Sequence, residues 1–317
     1  MLLFRVPKYV KKVFVLSAEE KQGIIVVVLA YAWWGFMPIY WKLLDHVASG
    51  EILSGRVIWS FVFTLIVVLL GRRFTVLIED LKNLWKDKKS FWSLVLASYL
   101  VTGNWFLYIF AVNEGYIVQA SLGYYINPLL SVLLGIVFLK EKLSWAQKLS
   151  VLIASTGVLL LTISYGEIPW IAMLLASTFA FYGLIKKRIT IDPLRGLTIE
   201  TLFVLPVALA YFSYMVVADQ AVFFSSDFTT TILLVFTGVA TAVPLVLFAK
   251  GTKTMPLYMS GFIQYIAPTL MLLIGIFVYG EKFSKIEFIS FSFIWVALLL
   301  FTFSKILELR RKKMLIV

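Results

Sequence analysis

The chain has 317 residues, of which 61% are hydrophobic and only 15% charged, and its mean hydropathy is +0.94. So few polar side chains cannot cover a water-facing surface, which excludes a soluble globular domain and predicts an all-α, polytopic membrane protein. The net charge of +12 would suit a nucleic-acid binder, but the basic residues are scattered through short connections between apolar runs, so no nucleic-acid partner is expected. The absence of cysteine removes disulfides and thiolate chemistry together.

Residues 1–22 carry Arg5, Lys8, Lys11 and Lys12 among apolar residues, without the continuous apolar core or small-residue cleavage site of a signal peptide, and are expected to form a basic cytoplasmic tail. Ten apolar segments follow, each long enough to span a bilayer: 23–44, 52–70, 91–112, 117–139, 145–164, 168–185, 197–217, 229–249, 257–279 and 286–304. Residues 306–317 read as a second basic cytoplasmic tail. Every Lys and Arg except Lys42, Lys282, Lys285 and Arg56 falls in the tails or in connections that lie on one side if the amino terminus is inside. Both termini are therefore expected in the cytoplasm.

Residues 125–144 read YINPLLSVLLGIVFLKEKLS and residues 265–284 read YIAPTLMLLIGIFVYGEKFS, with ten of the twenty positions identical at a constant offset of 140. That is a duplication. The opening helices of the two halves share an aromatic string, Tyr31-Ala-Trp33-Trp34-Gly35 and Phe179-Ala-Phe-Tyr182-Gly183. Each half, 23–165 and 166–305, has five spans. Because five is odd, the second half must enter the membrane from the opposite side, giving the inverted-topology repeat found in many secondary transporters.

Pro128 and Pro268 lie near the middle of the duplicated helices. A proline withholds an N–H and clashes with the preceding turn, freeing the carbonyl four residues back, here those of Tyr124 and Gln264. In hydrocarbon such carbonyls need protein, water or substrate. Both helices are therefore expected to break at mid-bilayer, around a site lined by Tyr124, Tyr125, Asn127, Gln264 and Tyr265. Ordinary proline kinks, re-satisfied by neighbouring side chains, are the alternative. Asn104 beside Trp105 needs a partner in another helix or a wet cavity, so it serves either as structural glue or as a substrate contact. The aromatics Tyr31, Trp33, Trp34, Phe181 and Tyr182 either wall a cavity or pack. Arg56 and Glu200 are ionisable residues within spans and so gate or coupling candidates. Placed near opposite surfaces, they are not expected to pair. Glu200 is the candidate for proton coupling.

An enzyme is disfavoured: the single His46 lies in a connection, and no metal-ligand spacing, phosphate-binding loop or nucleophile elbow appears. No catalytic residue, metal or cofactor is expected. Gly135 and Gly275 are expected to permit close helix packing.

Arg56-Val-Ile-Trp-Ser60, Gly103-Asn-Trp105, Ala120-Ser-Leu-Gly-Tyr-Tyr-Ile-Asn-Pro128, Gln264-Tyr-Ile-Ala-Pro-Thr-Leu270, Tyr279-Gly-Glu-Lys282 and Phe293-Ile-Trp-Val-Ala297 occur in that order, together with the 179–183 string. In these motifs the chain resembles the RarD branch of the EamA transporters in the drug/metabolite transporter superfamily. The resemblance implies ten helices in two inverted five-helix EamA repeats, a central cavity, and movement of small organic solutes across the bacterial inner membrane, usually outward. Branch members are commonly labelled chloramphenicol-sensitivity or resistance permeases, and relatives in the superfamily export amino acids, so the resemblance implies a drug-like or amino-acid-like solute. The expected partners are a small-molecule substrate and the lipid bilayer, with monomer and homodimer both open. The alternative function class is a non-transporting membrane scaffold or sensor.

Overall fold

The computed structural model describes residues 18–113, 116–223, 228–280 and 284–314, with side chains omitted at 112–113, 117–118 and 308–314. Of the tail expected over 1–22, all but its last residues lie outside that range, as do Glu281 and Lys282 of the second Glu-Lys-x-Ser turn. The helices are α1 (Ala18–Lys42), α2 (Ser49–Leu70), α3 (Phe74–Lys86), α4 (Lys88–Asn113), α5 (Ile117–Leu139), α6 (Trp145–Tyr165), α7 (Trp170–Arg188), α8 (Pro193–Val217), α9 (Phe228–Thr254), α10 (Leu257–Gln264), α11 (Ile266–Phe277) and α12 (Lys285–Met314). Among the described residues there is no strand.

Among the described residues nine segments are long and apolar enough to cross a membrane, with α10 and α11 together making one of them. The tenth crossing is α7, which ends in Lys186, Lys187 and Arg188 and packs against α4, α5 and α9. The ten crossings predicted from hydropathy are thus present. The twelve helices arise from two departures.

First, the connection after α2 contains the additional helix α3. It buries Leu77 and Leu84 against Val68, Leu94, Ile189 and Ile199 and leaves Phe74 and Trp85 exposed. Such a two-faced helix suits the headgroup layer.

Second, the duplicated proline helices do not behave alike, which corrects the expectation of two mid-bilayer breaks. α5 runs unbroken through Pro128. Its counterpart divides at Tyr265, where the Tyr265 N–H reaches back only three residues, to the Phe262 carbonyl at 3.3 Å. The Tyr265 hydroxyl donates to the Tyr125 carbonyl at 3.3 Å, next to the Tyr124 carbonyl that Pro128 frees, so the broken helix is tied to the intact one.

Helix packing follows the exchange of the two halves, α1–α6 and α7–α12. α1 packs on α9 and on α10/α11; correspondingly, α7 packs on α4 and on α5. α2 meets α9 as α8 meets α4, while α2–α8, α5–α10 and α6–α12 are each other's counterparts. Five crossings per half make this relation a pseudo-twofold in the membrane plane. At the axis α5 and α10 approach closely: a Cβ on Gly261 would stand 2.8 Å from the Pro128 carbonyl oxygen. Large apolar residues such as Leu133, Val137, Ile163 and Val217 face outward. That surface would be an aggregation hazard in water and is matched by lipid.

Candidate substrate-binding site

α1 begins at one end of the bundle, here the base, where α5, α7 and α9 finish; it ends at the opposite end, the mouth. Between the halves lies a cavity enclosing about 990 Å³ of atom-free space, its opening included. On α1 its lining climbs from Tyr31 through Trp34 and Met37 to Trp41, one residue per turn, which puts the cavity between mid-depth and the mouth. Across it stand Asn104, Trp105 and Tyr108 of α4 and Gly123, Tyr124 and Asn127 of α5. At the floor, Ser131 donates to the Gln264 side-chain oxygen at 3.2 Å and lies 3.4 Å from that of Asn127, joining the halves through a buried polar bridge. The buried Tyr31 hydroxyl has no hydrogen-bond partner among the described residues. Asn104 donates to the Leu175 carbonyl at 2.8 Å and the Thr178 hydroxyl at 2.9 Å, pinning α4 to α7.

Arg56 supplies the charge of this wall. Its guanidinium lies 4.9 Å from the ring centre of Trp41 and 4.4 Å from that of Trp105, and its Nε donates to the Thr241 hydroxyl at 3.1 Å. Aromatic faces stabilise a partly desolvated cation.

Towards the base the cavity is closed in two layers. The first is aromatic: Trp34 meets Phe179 edge-on at 5.6 Å, Phe179 meets Phe248 at 5.4 Å, and Phe248 stacks on Tyr182 at 6.1 Å. The second is polar and crosses between halves. After α5 the chain turns through Lys140 in the left-handed region (φ 54°), which swings Glu141 back over Gly135. There its carboxylate accepts the N–H groups of Leu257 at 2.7 Å and Tyr258 at 2.9 Å, capping α10. Lys187 lies 3.9 Å from Glu141 and donates to the Met255 carbonyl at 2.5 Å, while Arg188 donates to the Phe138 carbonyl at 2.8 Å. Arg195 pairs with Asp80 of α3 at 2.5 Å.

The structure brings Trp34, Asn104, Trp105, Tyr124, Asn127, Gln264 and Pro268 to the cavity. It turns others away. Trp33 faces outward, its indole N–H on the Ala240 carbonyl at 3.1 Å. Tyr125 and Tyr265 pack in a cluster with Phe291 and Ile294, since neighbours on a helix point about 100° apart. Pro128 lies behind the wall, against Gly261. Tyr182 is fully buried beneath the cavity. Arg56, expected as a helix-end or gate residue, lines the cavity. Glu200 does not: it is buried against Lys186, with the Tyr182 hydroxyl donating to it at 3.3 Å.

Three positions escaped sequence reasoning. Lys186 counted as a loop cation, yet it is 2% exposed. Glu51 is buried and accepts the N–H groups of Val222 at 2.9 Å and Phe223 at 2.8 Å. Glu141 had a signal: it is identical in both copies of the repeat, as is Gly135, where a Cβ would stand 2.5 Å from the Glu141 carboxylate.

Two interlocked five-crossing halves around a cavity at membrane depth define a membrane transporter. The comparisons agree. Residues 21–163 match the EamA-like transporter family. The chain is 49% identical to the uncharacterized transporter YojE of Bacillus subtilis, over 93% of this chain and 98% of the relative. It is 39% identical to protein RarD of Escherichia coli, over 93% and 98% respectively. A crystal structure of a protein 16% identical aligns with 89% of this chain and 97% of its own at a TM-score of 0.66, a likeness of fold alone. The chain belongs to the EamA-like transporter family, in the RarD-type branch of the drug/metabolite transporter superfamily, and is a multi-pass membrane protein of bacterial type.

Proposed function

We propose that the chain is a secondary transporter that moves a small organic solute across the bacterial cytoplasmic membrane, in the direction of export, by alternating access. The observation that carries the reading is the asymmetry of the site. Its polar and aromatic cavity extends toward the mouth and is shut toward the base by an aromatic plug and the Glu141 latch. Two halves related by a pseudo-twofold can exchange that arrangement for its mirror by rocking. The excess of basic residues at the base supports a cytoplasmic location for it and for both tails, in which case this conformation is closed inward. The working units are 23–165 and 166–305, flanked by the tails at 1–22 and 306–317. No catalytic step is assigned to the chain.

Asn127 and Gln264 hold the floor where the halves meet, so they must exchange partners when access switches. Reconstituted into proteoliposomes, the protein is expected to move one compound class of a panel saturably. Asn127→Ala and Gln264→Ala are expected to abolish that movement while inserting normally. Normal transport by both variants would refute the assignment of the site. Running the assay with and without a pH gradient, alongside Glu200→Gln, tests proton coupling. Because Glu200 is bound to Lys186 beneath the cavity, gradient dependence lost in that variant would make the pair part of the mechanism.

A further inference from the structure

Among the described residues Arg56 is the sole charged side chain that lines the cavity, and it differs from the other cations held inside the molecule. Lys186 is neutralised by Glu200, Arg195 by Asp80, and Lys187 lies against Glu141. Lys253, without a carboxylate partner among the described residues, is committed to the Ile191 carbonyl. Arg56 has no carboxylate within 4 Å among the described residues. Its hydrogen bond there comes from Nε alone, to Thr241, which leaves both terminal nitrogens uncommitted. Trp41 and Trp105 stabilise the cation through their faces, but they accept none of its in-plane N–H groups. A partly desolvated cation held without a counter-ion is costly to maintain at membrane depth. Its planar fork of donors matches the two oxygens of a carboxylate.

Resting on the transport reading above, we infer that Arg56 is the receptor for the carboxylate of the transported molecule, and that the substrate class is a small monocarboxylic acid with an apolar or aromatic body. The single positive charge balances one negative charge; a phosphate dianion would carry a second charge into a wall that offers nothing to neutralise it. Among the described residues no acidic side chain lines the cavity, so the ammonium of an amino acid would find no carboxylate there. The apolar body has Trp34, Tyr124 and Phe179 to lie against, and Asn127 and Gln264 to offer neutral polar contacts. The intact acid, rather than an ester, an amine or an amino acid, fits this set of groups.

The test is binding, measured separately from transport. The purified full chain in nanodiscs would be titrated with 3-phenylpropionate, its methyl ester, phenylalanine and phenyl phosphate, read by quenching of tryptophan fluorescence, to which Trp41 and Trp105 contribute. The acid is expected to bind at least about tenfold more tightly than its ester, as a charge-assisted bidentate pair requires. It is also expected to outbind the amino acid and the phosphate. Arg56→Gln should reduce acid affinity to that of the ester and leave ester affinity unchanged; Arg56→Lys should retain part of the preference. Equal affinity of acid and ester in the unmodified protein, preserved preference in Arg56→Gln, or no binding of the acid at millimolar concentration would each overturn the inference. The acid–ester comparison in the unmodified protein needs no variant to fold. Binding with the expected preference but no movement in proteoliposomes would refute the transport reading and leave the receptor standing. Saturable transport of other solutes, unchanged by Arg56→Gln, would do the reverse.

Discussion

Glu141→Ala removes the carboxylate that, among the described residues, ties the end of α5 to the start of α10 across the two halves. The structure gives it two backbone N–H bonds, at 2.7 and 2.9 Å, in a site where the side chain is only 11% exposed. A hydrogen bond to a charged group is worth about 1.5–3 kcal/mol net, so the lower figure for each gives about 3 kcal/mol for the pair. At about 1.4 kcal/mol per tenfold, the ratio of base-closed to base-open molecules should fall about a hundredfold. The absence of native cysteine makes the measurement clean. A cysteine at Met259, 3% exposed behind the latch, would be labelled with a membrane-impermeant maleimide applied from the base side. The Glu141→Ala background should raise the labelling rate at least about tenfold. A cysteine at Met271, in the cavity wall, should be labelled more slowly from the mouth side as the population shifts. If the Met259→Cys rate is unchanged in a variant that stays folded and monodisperse, the Glu141 contact does not hold the base shut.

Glu200→Gln strands Lys186 as a buried, unpaired cation, at a cost of about 3–5 kcal/mol. A large fall in melting temperature in detergent is expected, mostly restored in the double variant Lys186→Met/Glu200→Leu; an unchanged melting temperature for Glu200→Gln would refute the pairing. Gly238→Ala would place a Cβ 2.3 Å from the backbone of Trp59, forcing α2 from α9, and should destabilise by about 1–3 kcal/mol as overpacking does. Gly103→Ala, a mid-helix position with nothing within 4 Å of the added carbon, should be neutral or stabilising by up to about 1 kcal/mol. Thermal melts of the two alanine variants side by side check both.

The ten crossings were legible because lipid admits backbone only where it bonds to itself, so each span must be a long apolar helix that hydropathy detects. α7 shows the limit of that signal, since three terminal cations dilute its apolar character although it crosses with the others. α3 was hidden for a different reason: its apolar residues are spaced for one face of a helix lying on a surface, and a search for unbroken apolar runs passes over it. In the site, Asn127 and Gln264 were legible as buried amides because each stands beside a helix proline at membrane depth, although only the helix of Gln264 breaks there. Tyr125 and Tyr265 were placed wrongly in the same wall, because adjacency in sequence does not give direction on a helix.

The sequence by itself determined the membrane class, the number of crossings, the duplication at an offset of 140 and, from five crossings per half, the inversion of the second half. Those properties follow from local composition and counting. Tertiary structure alone showed which copy of the proline helix breaks, the second dividing at Tyr265 while α5 runs through Pro128, since the two copies pack against different neighbours. It alone decided that Arg56 faces the cavity between two tryptophans while Glu200 faces Lys186. The charge of a side chain is written in the sequence, but its partner is chosen by the packing of helices that the sequence sets far apart.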